Sequence, residues 1–314
     1  MAKTVLTGIQ PSGQLHVGNY FGAVAPLVAL AREHAGTRAM IADQHALTTV
    51  RDAAALRAST AEIAAVLIAA GLPDYVALFR QSDVPEHAEL AWYLSCLTTV
   101  PYLMRAHAYK DAEAKGKELS AGTFYYPVLM AADILAEDAD LVPVGKDQQQ
   151  HIEFARDFAG KMNNAYGEGV LKMPEGLISE EVGTVPGTDG RKMSKSYGNV
   201  IPLLATRDEL AKRVMSIVTD SSGGVPQNVY AIHALLRPEA ELDTLYAEKA
   251  GKYKDLKEAL LEDLDAFLAP LRERYAAVAA DPSALEARLA RGAEAARQAA
   301  SATLGRVRRA VGIR

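Results

Sequence analysis

Short β-branched apolar runs that alternate with helical periodicity constrain this chain more than any other feature of its N-terminal half. "TVLTGI" (4–9) reads as a strand and stops at "QPSG" (10–13), a turn-forming cluster. A helical pattern follows, starting near Asn19, with Tyr20, Val24, Leu27, Val28 and Ala31 on one face. "RAMIAD" (38–43) reads as a second buried strand. Asp52 then caps a helix that buries Leu56, Ile63, Val66, Leu67 and Ala70, until Gly71 and Pro73 stop it. "YVALFRQS" (75–82) is a third strand, and Pro85 opens a helix over "PEHAELAWYLSCLTTV". "LVPVG" (141–145) is a further strand, feeding a helix from Asp147 to about Met162. Strands and helices in this order give a parallel sheet covered on both faces, an α/β fold of doubly wound, Rossmann-like type. Past residue 200 the patterns are helical throughout, so an α/β unit (1–199) precedes an all-helical one (200–282). The last helix (283–314) is expected to pack back toward the first unit.

Composition narrows the class. The single cysteine, Cys96, excludes a disulfide framework and any cysteine-based zinc site, and points to a reducing compartment. No stretch has the length of a signal peptide core or a membrane span, so the expectation is a cytoplasmic protein with no membrane partner. The net charge of −5 argues against a protein coated in nucleic acid, and no DNA partner is expected. The balance is uneven: residues 1–199 hold 17 Lys/Arg against 23 Asp/Glu, residues 200–314 hold 17 against 16, and the end, "GRVRRAVGIR", is locally basic.

In such a sheet, ligands bind beyond the carboxyl ends of the strands at the topological switch point. The first strand runs into "GIQPSGQLHVGNY" (8–20), where Gly13 and Gly18 admit close backbone approach and a helix N-terminus points at the same spot. His16 and Asn19 add neutral donors suited to anionic oxygens; a plain strand–turn–helix crossover with a capping asparagine fits the same spacing. "GTDGRKMSKSYGN" (187–199) sets Lys192, Lys195, Ser194 and Ser196 on a glycine-bounded loop. It reads either as a solvated surface loop or as a mobile clamp for phosphate, with lysines as point charges on the oxygens.

The two motifs together carry a resemblance. "HVGN" (16–19) resembles the first signature of the class I aminoacyl-tRNA synthetases, and "KMSKS" (192–196) matches the second. With "ADQHALT", "YPVLMAADIL" and "VPVGKDQQQHIEFARD", the chain looks like a member of the bacterial-type tryptophanyl-tRNA synthetase family over residues 4 to about 202 and again near its C-terminus. Asn19 stands where the class in general has histidine; asparagine is usual in the tryptophan and tyrosine branch. The resemblance implies ATP, L-tryptophan and tRNA(Trp) as substrates, Mg²⁺ arriving with ATP and no protein-held metal. It also implies a homodimer, with residues 200–282 reading the tRNA anticodon. Lys192, Ser194 and Lys195 would close over the β and γ phosphates, with Gln10, His16 and Asn19 meeting them from below. Pro11, Ser12, Gly18 and Ser196 would join the ATP site. Gly145 and Asp147 would face the ribose with Lys146 alongside, and the backbones of Val185 and Met193 would face adenine. One of Lys110, Lys115 and Lys117 corresponds to an ATP-contacting lysine of the family, and the alignment does not choose among them.

The helix over "YYPVLMAADILAED" bears on which amino acid is activated. Tyr126, Met130 and Asp133 fall on one face. A carboxylate ending an apolar stripe needs a donor, and the indole N–H is the only polar atom of a tryptophan side chain. Met130 is soft enough to lie against an aromatic ring. By resemblance, Leu6, Gly8, Val142 and Val144 would complete the walls, Gln148 and Tyr126 would bind the α-amino group, and His45 would approach the carboxylate. A tyrosine-specific relative, a non-charging paralogue that binds tryptophan or RNA, and a small-metabolite adenylyltransferase of related fold are the alternatives. Tyrosine-specific relatives usually carry glutamine at the Met130 position and tyrosine at the Leu6 position.

Overall fold

The structure, a computed structural model, describes residues 3–106, 109–110, 113, 119–145, 149–178, 185–219 and 224–313. Five parallel strands, β1 (Thr4–Ile9), β2 (Gly36–Ile41), β3 (Ala77–Arg80), β4 (Leu141–Val144) and β5 (Glu175–Ile178), lie in the order β3-β2-β1-β4-β5. The chain winds outward from β1 to β3, then returns to the other side of β1. The switch point is therefore the β1/β4 seam, where Val5 pairs with Leu141.

Strands β1 to β4 bury residues on both faces, as a parallel sheet requires, while β5 leaves Glu175, Gly176 and Leu177 exposed at the edge. On β2, Ala39 and Ile41 enter one core and Met40 the other; on β3, Leu78 and Phe79 divide in the same way. The first core takes in α1 (Ala25–Glu33) and α2 (Ala53–Ala69) and runs on without a break into the helical region. There α6 (Arg207–Met215), α7 (Gln227–His233), α8 (Glu239–Glu248) and α9 (Tyr253–Ala279) bury Leu210, Val229, Leu242 and Leu264 in it. The second core takes in α3 (Glu86–Cys96), α4 (Ala121–Ala136) and α5 (Gln149–Tyr166). The final helix, α10 (Pro282–Val311), gives Leu289 to the first core and Leu304 to the second, so it wraps the edge strand β3. A covered edge does not recruit further strands. Contact there is close enough that a Cβ on Gly292 would sit 1.9 Å from the Leu78 carbonyl oxygen.

Three local features depart from the sequence reading. The edge strand β5, "EGLI", carries too short an apolar signal to stand out and forms because β4 offers it a partner from Leu141 to Val144. The first helix begins at Val17 instead of near Asn19, and passes through a π-helical turn at Tyr20–Val24. The basic C-terminus is ion-paired at home: Arg308 is bidentate to Glu89 at 2.8 and 2.5 Å, and Arg306 meets Asp138 at 2.6 Å.

Candidate active site at the strand ends

Past β1, the Ser12 N–H donates to the Gln10 carbonyl at 2.9 Å and turns the chain toward His16. His16 is the helix N-cap: its Nδ1 accepts from the Asn19 N–H at 3.2 Å, while Asn19 Oδ1 accepts from the His16 N–H at 3.2 Å. This is a reciprocal capping box with histidine in the place usually taken by serine or threonine. The cap falls to His16, and Asn19 becomes its partner one turn on, because the helix starts earlier than periodicity suggested. With Nδ1 accepting, the ring proton sits on Nε2. Burial, and then the Lys195 charge, press the His16 pKa down to about 4. His16 is thus a neutral donor at physiological pH.

The lysine-serine loop docks on this turn. Met193 is buried, its N–H donates to the Val185 carbonyl at 2.8 Å, and its Sδ accepts from the Gly18 N–H at 3.3 Å. Lys195 Nζ donates to the Ser12 carbonyl at 3.1 Å, and burial of that ammonium lowers its pKa against the opposing pull of Glu62. Lys192 is exposed, and Ser194 Oγ lies 2.9 Å from Ser196 Oγ. Asn199, 2% exposed, ties the loop together. Its Nδ2 donates to Asp189 Oδ1 at 2.6 Å and to the Lys192 carbonyl at 3.1 Å, and its Oδ1 accepts from the Ser194 N–H at 2.8 Å. A Cβ on Gly187 would lie 2.3 Å from the Asn199 amide, so glycine is required there. Gln10, Pro11, Ser12, His16, Gly18, Asn19, Val185, Met193, Ser194, Lys195 and Ser196 are therefore neighbours at one end of β1.

On the other side of β1, Leu6, Val142 and Val144 are buried in the second core, and Gly8 lies against the Met40 side chain. On α4, Tyr126 and Met130 are half-buried and Asp133 is 1% exposed. Tyr126 Oη is 2.6 Å from His151 Nε2. Asp133 has three partners: His45 Nε2 at 2.8 Å from Oδ2, Gln81 Nε2 at 2.8 and 3.0 Å from Oδ1 and Oδ2, and His87 Nδ1 at 3.0 Å from Oδ1. Gln81 is oriented in turn, because its Oε1 accepts from the Gln44 and His45 N–H groups at 3.2 and 3.3 Å. One helical turn after Asp133, buried Glu137 accepts from His87 Nε2 at 3.0 Å and from Arg38 at 2.6 Å. Burial alone would raise the Asp133 carboxyl; the His45 and His87 donors outweigh it and hold the group below its ordinary value. His45, expected near the substrate carboxylate, reaches Asp133 through its Nε2. Gln10 Nε2 joins the two halves through the His45 carbonyl at 3.3 Å.

Sequence reasoning missed Gln81, His87, Glu137 and Arg38. The available signal was Glu137 itself: two acids four residues apart on an apolar helix need cationic partners. Gly145 follows β4 at the switch point. Lys146, Asp147 and Gln148 lie outside the described residues, and so do Lys115 and Lys117; Lys110 is exposed. A cavity of about 370 Å³ borders His45 and Tyr126 but not Leu6 or Val142, and one of about 280 Å³ lies among Tyr230, Asp243 and Tyr246, away from the strand ends.

The arrangement sets phosphate-type donors beside a buried, ionised acceptor at the switch point of an α/β sheet. Comparison with known proteins agrees. Residues 2–272 match the family described as tRNA synthetases class I (W and Y). The chain is 46% identical to the tryptophan–tRNA ligase of Xanthomonas campestris pv. campestris, over 100% of this chain and 77% of that one. It is 42% identical to that of Rhodopirellula baltica, over 99% of each. The crystal structure of Campylobacter jejuni tryptophanyl-tRNA synthetase complexed with ADP and tryptophan matches with a TM-score of 0.91 at 41% identity, over 98% of this chain and 99% of that one. The chain belongs to the class I tRNA synthetases, in the family of the tryptophan and tyrosine enzymes.

Proposed function

We propose that this chain activates L-tryptophan with ATP and transfers it to tRNA(Trp). The observation that carries the amino-acid choice is Asp133, a buried carboxylate on the same helix face as Met130 and Tyr126, linked to the phosphate-facing turn through His45 and Gln10. In activation, a tryptophan carboxylate oxygen attacks the α-phosphorus, the bond to the bridging oxygen breaks, and pyrophosphate leaves with no covalent enzyme intermediate. Such chemistry needs positioning and stabilisation of developing charge more than it needs a nucleophile. Lys192 and Lys195 take the charge on pyrophosphate. The His16 Nε2–H and the Asn19 NH2, the parts not used by the cap, serve as neutral donors, with Gln10, Pro11, Ser12, Gly18, Ser194 and Ser196 shaping the cradle. The family resemblance gives the Val185 and Met193 backbones to adenine, and Gly145 with Lys146 and Asp147 to the ribose. Mg²⁺ would arrive as part of the ATP substrate and offset charge on its phosphates; the side chains around the cradle are lysines, hydroxyls and amides.

On the amino-acid side, Leu6, Gly8, Met130, Val142 and Val144 enclose the indole, whose N–H shares or takes over the Asp133 oxygen that His45 holds. Tyr126 and Gln148 bind the α-amino group. Transfer follows when a terminal ribose hydroxyl of tRNA attacks the adenylate carbonyl and AMP leaves. The helical region (200–282) would read the anticodon, and a homodimer would let one tRNA span two subunits in the cytoplasm. Relatives 42–46% identical and named tryptophan–tRNA ligase support tryptophan over tyrosine. Tryptophan-dependent exchange of labelled pyrophosphate into ATP is the test, with tyrosine as the control. Exchange with tyrosine, or with neither amino acid, would sink the reading.

A further inference from the structure

The two buried carboxylates of α4 share a single imidazole. His87 is 0% exposed, Glu137 0% and Asp133 1%. Its Nε2 is 3.0 Å from Glu137 Oε1, and its Nδ1 is 3.0 Å from Asp133 Oδ1, close in distance though off the line of an ideal hydrogen bond. An ionised carboxylate can only accept, and a neutral imidazole has one N–H to give. A neutral ring would therefore turn a lone pair toward one carboxylate at 3.0 Å in a dry interior. Burial by itself presses the His87 pKa down, but the two carboxylates outweigh it and raise it to about 9. The charge count agrees: Asp133 and Glu137 are balanced by Arg38, 2.6 Å from Glu137, and by the His87 ring. Other groups facing this cluster are His45 and Gln81, both on Asp133, and the uncharged Phe79 ring, 6.2 Å from His87. Among the described residues His87 alone touches both carboxylates.

We propose that His87 is a positioning residue for tryptophan selection: with Nε2 donating to Glu137 and Nδ1 facing Asp133 at 3.0 Å as a counter-charge, it keeps Asp133 ionised and aimed at the indole N–H, while Arg38 holds Glu137 behind it. This rests on the tryptophan reading above and adds the group that prepares its acceptor. Without His87, Asp133 keeps two neighbours but loses a buried counter-charge. A carboxylate in that situation takes up a proton or swings away, and either change weakens it as an acceptor.

The test compares tryptophan with its benzothienyl isostere, in which sulfur replaces the indole N–H, by pyrophosphate exchange in the wild type and His87→Gln. In the wild type, loss of the N–H leaves Asp133 short of a donor and is expected to lower kcat/KM by about 100-fold. In His87→Gln that ratio is expected to shrink to about fivefold or less, with KM for tryptophan raised and KM for ATP unchanged. Equal discrimination in both proteins, whatever happens to KM, overturns the role of His87. A wild type that does not discriminate overturns the Asp133 reading, and this proposal with it. Should His87→Gln fail to fold, the wild type alone decides. Its discrimination is expected to hold from pH 7 to 8 and to fall as pH passes about 9, where the ring loses its second proton. The substrate amine titrates alike in both compounds and cancels in the ratio. Discrimination that persists unchanged to pH 10 overturns the proposal.

Discussion

Two histidines mark the contrast between the halves of the site. His16, at the proposed phosphate end, caps a helix and is held toward its neutral form; His87, behind the proposed indole end, lies between two acids that draw it toward its charged form. Burial depresses both; it dominates at His16, and at His87 the neighbours reverse it. His16 faces Lys195, which lowers its pKa further, whereas His87 faces Asp133 and Glu137, which overturn the effect of burial. The surroundings differ in the same sense. The phosphate end is an exposed loop held by Asn199, one methionine contact and one lysine bond. The indole end is a closed set of charges between β2, α3 and α4. A movable clamp suits charge that appears during reaction, and a fixed acceptor suits a group that is the same before and after it.

The largest effect is expected where the clamp meets developing charge. Lys195→Ala should slow adenylate formation by about 10²-fold or more, the scale of losing one preorganised donor. Tryptophan affinity should stay nearly intact, and transfer from preformed adenylate should suffer less, since pyrophosphate has already left. Single-turnover measurement of the two steps checks this; equal losses in both would mean the loop serves fold or RNA instead. At the fixed end, Asp133→Ala should weaken tryptophan activation by about 2 kcal/mol, or about 30-fold, with ATP affinity little changed. Unchanged tryptophan kinetics in that variant would remove Asp133 from the pocket.

A smaller effect is expected from the loop's internal tie. Asn199→Ala strands the Ser194 N–H and should cost about 1–2 kcal/mol in activation, expressed in ATP and pyrophosphate terms with the KM for tryptophan unmoved. A raised KM for tryptophan alone would erase the division between the two halves. The smallest effect separates the histidines by pH. Below pH 6.5 the unfolded chain protonates its counterpart of His16 while the folded protein resists until about 4, so His16 costs stability as pH falls through that window. His16→Asn, which keeps a good cap, should gain melting temperature relative to the wild type between pH 7 and 5. The contribution of His87 has the opposite sign: it is complete below pH 6.5 and is lost as pH rises through about 9. A constant difference between His16→Asn and wild type across pH 5–7 would mean that His16 is not held neutral.

What the sequence by itself determined is local. Period and punctuation set β1 through β4 and the helices between them, because hydrophobic spacing and turn residues act over a few positions. The Tyr126–Met130–Asp133 face was legible for the same reason, whereas "HVGN" and "KMSKS" took their phosphate reading from resemblance to a family and not from spacing. Tertiary structure decided the rest. Strand order brings Lys195 to Ser12 across 183 residues and His45 to Asp133 across 88, and no local pattern encodes either meeting. The short edge strand β5 is set by its partner β4, and His16 took the cap because of where the helix began. Glu137 drew no reading from the sequence. Only the sheet, by carrying Arg38 and His87 to it from other elements, made it part of a buried charge balance, and whether such a charge is tolerable depends on partners that only the folded chain supplies.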